Sequence, residues 1–577
     1  MTESDRHWKP MKVMKRRFLP LSAVLLGILA ACWTVAAAAQ SWKTVGPYGG
    51  DARSFASSPG LPSHILMGTT NSWIYQSQDD GATWARLSKI STSDSLVVDH
   101  IILDESNPNR VVVGAWMLDR PDGGIFVSND QGRHWQAVED MKGQSVRALA
   151  QAPSNPRIFV AGTLKGVYRS QDGGLHWTLI SPPGSTEIHE VESIAIDPVH
   201  PEDIYAGTWH LPWRTQDGGR TWQNIKQGVI DDSDVFSIIV DPKQPDTVYA
   251  SACSGIYKSI DSGTLFHKVQ GIPSTARRTR VLKQDPVNQN IVYAGTTEGL
   301  YRTTDAGANW VLMTPNYLII NDILIDPRNT QHVLLATDRS GVLESNDGAR
   351  SFLDSNTGFS QRQVGSMVTD PQNPDTIYVG VLNDKRFGGV FVSKDAGRTW
   401  QQESAGLEDH DVFTLGISPT GNILAGTNGG IYHLASGQWE NAGGRLKEST
   451  REVVHFRHKH RSVTLQTIAV PDGRIESSVR GLAFSQGEWF AATADGVYRS
   501  DDNGYAWQGG PIQGARAFFS IAAGGNVVLA NAGSLLFASR DQGKTWQPVP
   551  LPAGWGRARQ VAVDSDGRLW VAGRLGV

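Results

Sequence analysis

Ten aspartates recur at one repeated position along the chain: Asp79, Asp130, Asp172, Asp217, Asp261, Asp305, Asp347, Asp395, Asp502 and Asp541. Carboxylates spaced so regularly suggest two chemistries, cation binding and acid–base work. Their neighbours argue for a third role. Each follows a Ser or Thr by two positions, and most precede a Gly by two and a Trp by five, as in SQDDGATW (Ser77 to Trp84) and TQDGGRTW (Thr215 to Trp222). Ser and Asp side chains accept bonds from turn N–H groups, Gly permits positive φ, and a terminal aromatic packs between sheets. The ten aspartates are therefore expected to staple turns, not to ligate metal or catalyse.

Chemistry is expected instead in three lengthened connections, GAWMLDRPDGG (Gly114 to Gly124), GTWHLPWR (Gly207 to Arg214) and VLNDKRFGG (Val381 to Gly389). Trp116, Trp209, His210 and Trp213 there offer aromatic platforms for a sugar or for an apolar or proline-rich peptide. Arg278 and Arg280, in ARRTRVL (Ala276 to Leu282), could grip a carboxylate or pair with Glu190, Asp234 or Asp322. If the chain is a hydrolase, Asp119, Asp384 or Asp411 would have to supply its carboxyl groups. His455, His458 and His460 in FRHKHRS lack companion carboxylates or cysteines at metal-ligand spacing and read as a solvated basic loop, so neither metal nor cofactor is expected. No Gly-rich phosphate cradle or serine elbow stands out.

These residues need a scaffold, and the scaffold is a repeat. The terminal aromatics are mostly about 40 to 50 residues apart, the length of a four-stranded propeller blade. Ahead of each turn motif come an apolar strand, an Asp-Pro turn in several copies, and two more short strands, as in SIAIDPVHPEDIYAGTWHLPWRTQDGGRTW (Ser193 to Trp222). Asp197, Asp241, Asp285, Asp326 and Asp370 are expected to cap those turns. Ten units carry the motif, one near Thr414 to Leu434 lacks it, and a partial one begins near Val561, so about twelve units are expected. That exceeds a single ring of about four to eight blades. The expected fold is all-β, with two tandem rings of six or seven blades: residues 40–310, then 311–577, with an insertion at 443–478 and an incomplete last blade. SWKTV (Ser41 to Val45) looks like a stray fourth strand, which leaves open whether joined termini close one ring or the last ring is cut short.

The repeated segments resemble the Asp box, or BNR repeat, and the resemblance extends from about Ser41 to the end. It implies a β-propeller. Two enzyme families share the motif. Sialidases also carry a Phe-Arg-Ile-Pro segment, absent here. The opening VGPYGGDARSFASSP (Val45 to Pro59) is similar to that of two-propeller xyloglucanases, but their first catalytic aspartate would fall near Thr70 or Asn71, and neither is a base. Inverting hydrolysis needs two carboxyl groups roughly 6.5–9.5 Å apart. The chain also resembles sortilin-like and photosystem II assembly factor-like propellers, which implies binding of a protein or peptide without chemistry. The expected role is a non-catalytic propeller holding a protein, peptide or glycan on its loop face, with a glycoside hydrolase as the alternative.

Composition agrees with this reading. Glycine (61) and tryptophan (19) are abundant in 577 residues, charged residues make up only 19%, and a net charge of -4 without a basic block argues against nucleic acid. Two cysteines, Cys32 and Cys253, exclude a disulfide framework. Residues 1–39 read as a signal peptide: basic Lys12 to Arg17, an apolar run from Phe18 to Ala31, and small residues to Ala39. A secreted or periplasmic monomer is expected. Alternatively, Leu29-Ala30-Ala31-Cys32 resembles a lipobox and would anchor a lipoprotein through Cys32, the one expected route to a membrane.

Overall fold

Short alternating strands need a partner on each side, and in each repeat successive strands pair antiparallel through tight turns. The computed structural model describes Thr44–Val577 except residues 59, 105, 232, 274, 277, 443, 444, 458 and 459, and excluding the side chains of 443–472. The signal segment, Cys32 and His458 lie outside the described residues. Eleven four-stranded antiparallel sheets and a two-stranded one at 558–573 follow in chain order, giving twelve repeat units. We number them as blades one to twelve: 52–89, 96–137, 146–179, 193–224, 235–268, 279–312, 320–354, 363–402, 412–441, 479–510, 520–549 and 558–573. The fold is a propeller, and among the described residues the only helical pieces are the 3-10 turns Glu139–Met141 and Lys385–Phe387.

The innermost strands of blades one to seven pack against one another in order. The inner strand of blade seven, Ile320–Ile325, then packs on that of blade one, Ala52–Ser58. Seven blades thus form a closed ring. An apolar cluster seals the closure, joining Ala52, Phe55, Ile65 and Trp84 to Leu334, Ala336, Val342 and Phe359. Trp84 Nε1 donates to Ser355 O of blade seven at 2.9 Å. Blades eight to twelve form a second series, with contacts running in order from the inner strand Gln363–Thr369 to Ala558–Val563. The expected division at 310/311 falls within blade six, just before its last strand Val311–Leu312 and inside the closed ring, because the sequence keeps one rhythm through both sets. The 443–478 insertion, which breaks that rhythm, separates blades nine and ten instead.

That insertion is a long hairpin of two strands, Arg445–Arg457 and His460–Asp472, not the expected loop. Val453, Val454, Val463, Thr464, Thr467 and Ile468 are β-branched and favour extended pairing. The pairing sets His455 opposite Ser462 and His460 opposite Arg457.

The repeated turns share one bonding pattern. In blade one, Ser77 Oγ donates to Asp79 Oδ1 at 2.8 Å, Gly81 N donates to Ser77 Oγ at 2.9 Å, and Thr83 N donates to Asp79 Oδ1 at 2.9 Å. Asp172, Asp217, Asp305, Asp395 and Asp541 repeat it. At blade eight the turn's Trp400 donates to Val45 O at 2.8 Å. Val45 therefore takes the place that Ser355 holds for Trp84. The aspartates of the Asp-Pro turns cap them, as when Asp197 Oδ1 accepts Val199 N and His200 N, both at 2.8 Å.

Candidate functional site at the mouth of the seven-bladed ring

The inner strands carry an irregularity that aims side chains. Ala52 and Ser54 pair with Thr69 and Gly68, leaving Arg53 as an extra residue. The same bulge leaves out Asp99, Arg147, Phe236, Arg280 and Asn321 in blades two, three, five, six and seven. In blade four Glu192 takes the position, its N–H donating to Gly207 O at 2.9 Å just before the strand Ser193–Ile196. A bulge redirects the extra side chain. Repeated around a closed ring at one height, it gathers seven side chains at the channel mouth, on the side of the connections between second and third strands.

These side chains touch. Arg53 Nη2 and Nε donate to Asp99 Oδ1 at 2.7 and 3.0 Å, and Arg53 Nη1 donates to Asn321 Oδ1 at 3.2 Å. Arg280 Nη1 reaches the same Asn321 oxygen at 2.5 Å, and Asn321 Nδ2 donates to Ala52 O at 2.7 Å. Trp116 Nε1 donates to Asp99 Oδ2. The Arg147 guanidinium lies 3.8 Å from the centre of the Trp116 ring. Arg278 is exposed and lies 5.7 Å from the Phe236 ring, with no ion pair among the described residues. Burial alone would raise Asp99, but Arg53, His100 and the Trp116 N–H hold it down at about 2. Burial raises Glu192, partly offset by Arg147. The mouth thus joins guanidinium groups and an indole face around two carboxyl groups, a surface suited to an acidic or polar ligand.

Beside the mouth, a second charged group lies where the opening segment meets blades seven and eight. Asp51 Oδ1 accepts Arg339 N at 2.8 Å. Burial, then its neighbour Asp338, pushes Asp51 up to about 7. Arg362 Nη1 donates to Asp384 Oδ2 at 2.6 Å and to Phe387 O at 2.7 Å, while its Nε donates to Tyr48 O at 2.8 Å. Burial raises Asp384 to about 6 despite Arg362.

Trp116, Arg278 and Arg280, expected to bind ligand, are at the mouth; Arg280 pairs with Asn321 rather than with Glu190, Asp234 or Asp322. Trp209 lies between His189 and His210, with ring centres 5.1 and 5.2 Å apart. Trp213 is half-buried and packs against a core cluster that includes Ile204 and Ala206. Its strand Pro212–Thr215 turns it onto the sheet, while Arg214 alongside pairs with Asp203. Asp119 is exposed and, among the described residues, pairs only with Arg120 at 3.3 Å and shares no partner with Asp384. Asp411 caps a turn by accepting Asn383 N at 2.6 Å. Sequence reading missed Arg53, Asp99, Arg147, Glu192 and Asn321, yet each lies five residues before the residue that ends its inner strand or opens the following turn: Ser58, Asp104, Ala152, Asp197 and Asp326. Among the described residues no three His, Cys, Asp or Glu are grouped to hold a metal ion, and no helix is long and apolar enough to cross a membrane.

No family model matches the chain. A probable oligoxyloglucan-reducing end-specific xyloglucanase of Neosartorya fischeri is 26% identical over 133 residues, 22% of this chain and 16% of its own length. The oligoxyloglucan-reducing end-specific xyloglucanase of Emericella nidulans is 29% identical over 126 residues, 19% and 15% of the two chains. The chain therefore spans about a sixth of the length of these curated relatives. Among solved structures, the GH74 xyloglucanase of Xanthomonas campestris superposes with a TM-score of 0.52 at 16% identity, covering 92% of this chain and 98% of that one. That likeness is one of fold, a propeller of many blades.

Proposed function

We propose that this is an exported binding propeller that holds a protein, peptide or glycan ligand at the mouth of its seven-bladed ring, without catalysis. One observation carries the reading: bulged inner strands of separate blades gather Arg53, Asp99, Arg147 and Arg280, with Trp116 stacked between Arg147 and Asp99. Exposed Arg278 is the group left to meet a ligand carboxylate. The test titrates the wild type and Arg278→Ala with a hexaglutamate peptide and with an oligogalacturonate. Saturable binding of either, weakened about tenfold or more by the substitution and by added salt, supports the reading. Equal binding by both proteins contradicts it. Trp209→Ala asks whether the ligand reaches the neighbouring aromatic cluster, and an unchanged affinity would assign Trp209 to packing.

The second reading, a glycoside hydrolase, draws on the raised carboxyl groups of Asp51 and Asp384, the range in which an acid–base pair works near neutral pH. Reducing ends released from a polysaccharide panel by the wild type, and lost in Asp51→Asn and Asp384→Asn, would favour it over binding alone.

A further inference from the structure

In blades one to six the position three residues after the terminal aromatic helps fill the slot towards the next blade, while blades seven and eight carry Ser355 and Glu403 there. Three residues after the terminal aromatic stand Leu87, Val138, Ile180, Ile225, Val269 and Met313 in blades one to six. Five of them hold one register, each N–H donating to the third strand of its own blade, as Val138 N does to Ile125 O at 2.9 Å and Met313 N to Leu300 O at 2.8 Å. Each packs an aliphatic chain with the terminal aromatic of the following blade: Leu87 with Trp135, Val138 with Trp177, Ile180 with Trp222, Ile225 with Phe266, Val269 with Trp310, and Met313 with Phe352. In blade ten the equivalent residue is Gly510, paired with Val497 in the same register.

The missing side chain leaves space. A cleft of about 520 Å³ opens between blades ten and eleven, floored by Phe490 and walled by Tyr498 and Trp546. A Cβ placed on Gly510 would meet nothing within 4 Å. Trp546 is half-buried and, like Trp310, has an indole N–H with no partner among the described residues, whereas Trp84, Trp135 and Trp222 donate theirs towards the preceding blade and Trp177 and Trp507 donate within their own turns. Arg499 and Lys544 line the cleft with no carboxylate among the lining residues. Glu488 lies 3.6 Å from Arg499, and Lys544 has no ion pair among the described residues.

We propose that this cleft is a peptide-binding site that takes an extended segment carrying a branched aliphatic side chain beside an acidic residue. The aliphatic group would occupy the slot that six other blades fill from their own chain, and the carboxylate would meet Lys544 and Arg499. The volume suits such an anchor, since ligand clefts run from about 300 to 1,000 Å³. The site stands apart from the ring mouth and does not depend on its role.

Fluorescence anisotropy with a labelled Ser-Glu-Ile-Asp-Ser peptide tests it. The wild type should bind saturably, and Gly510→Ile, which fills the slot, should lose about tenfold or more, with some loss of stability because Gly510 has φ +159°. A peptide with Gly in place of Ile should bind as weakly, and Lys544→Glu should weaken the original peptide several-fold in a salt-dependent way. Every comparison is made in the Arg278→Ala background, which keeps the ring mouth out of the readout. The control peptide and Lys544→Glu decide the question even if Gly510→Ile does not fold. The proposal is overturned if the wild type shows no saturable binding at millimolar peptide, if folded Gly510→Ile binds as well as the wild type, or if the Gly peptide binds equally. Binding of cellohexaose in place of the peptide, lost on Gly510→Ile, would make the cleft a glycan site and overturn it as well.

Discussion

The outer rim and the channel mouth repeat with the same period and use the repetition in opposite ways. At the rim, Ser or Thr, Asp and an aromatic return nearly unchanged, and each copy makes the same local bonds. At the start of the inner strand one position returns, bulged in every blade of the ring but the fourth, and its residue changes: Arg53, Asp99, Arg147, Glu192, Phe236, Arg280 and Asn321 at the ring mouth, then Gly365, Phe413, Arg480 and Arg559 in the second series. Invariance marks what every blade needs in order to fold. Variation at a geometrically fixed position marks where the molecule differs from a bare scaffold.

The largest effect should come from the rim where the ring closes. Trp84 is buried and joins blade one to blade seven, so Trp84→Ala should cost about 3–5 kcal/mol, read by chemical denaturation. A loss near zero would mean that the closure rests elsewhere. Asp172→Ala removes bonds from Ser170, Leu175 and His176 and should cost about 1–3 kcal/mol without altering ligand affinity. A change in affinity with stability intact would blur the contrast between rim and mouth.

The carboxyl groups beside the mouth predict a pH signature. Asp51 is raised from 3.8 to about 7, so the folded protein binds its proton more tightly than the unfolded chain does. Its contribution to stability is therefore largest below about pH 4 and is lost as pH rises towards 7. Asp51→Asn should raise the thermal midpoint more at pH 8 than at pH 5. Asp99, held at about 2, acts in the opposite sense: its contribution is present above pH 4 and is lost as pH falls through 2. Equal midpoint shifts for Asp51→Asn at both pH values would show that Asp51 titrates normally.

Much of the fold was legible in the sequence because its signals are local. The turn motif, the Asp-Pro turns and the count of about twelve units all lie within single repeats. Trp116, Arg278 and Arg280 were legible because they are unusual residues in or beside connections facing the mouth. Arg53 and Asp99 were not, because a bulged residue is defined by its partner strand: Arg53 is extra only once Ala52 and Ser54 pair with Thr69 and Gly68. The junction residues were hidden by distance, since Asp51 meets Arg339 across 288 positions. The ring boundary was misplaced for a similar reason, as closure depends on Ile320–Ile325 meeting Ala52–Ser58 and leaves no mark between 310 and 363.

The smallest expected effect on stability belongs to the residue with most at stake for function. Arg278 is exposed, so Arg278→Ala should shift unfolding by no more than about 0.5 kcal/mol. Titrating that variant and Asp172→Ala side by side with hexaglutamate and oligogalacturonate tests the division between mouth and rim most directly. The account predicts that Arg278→Ala loses affinity at unchanged stability while Asp172→Ala loses stability at unchanged affinity. Full affinity in Arg278→Ala, or an affinity loss in folded Asp172→Ala as large as that in Arg278→Ala, would contradict it.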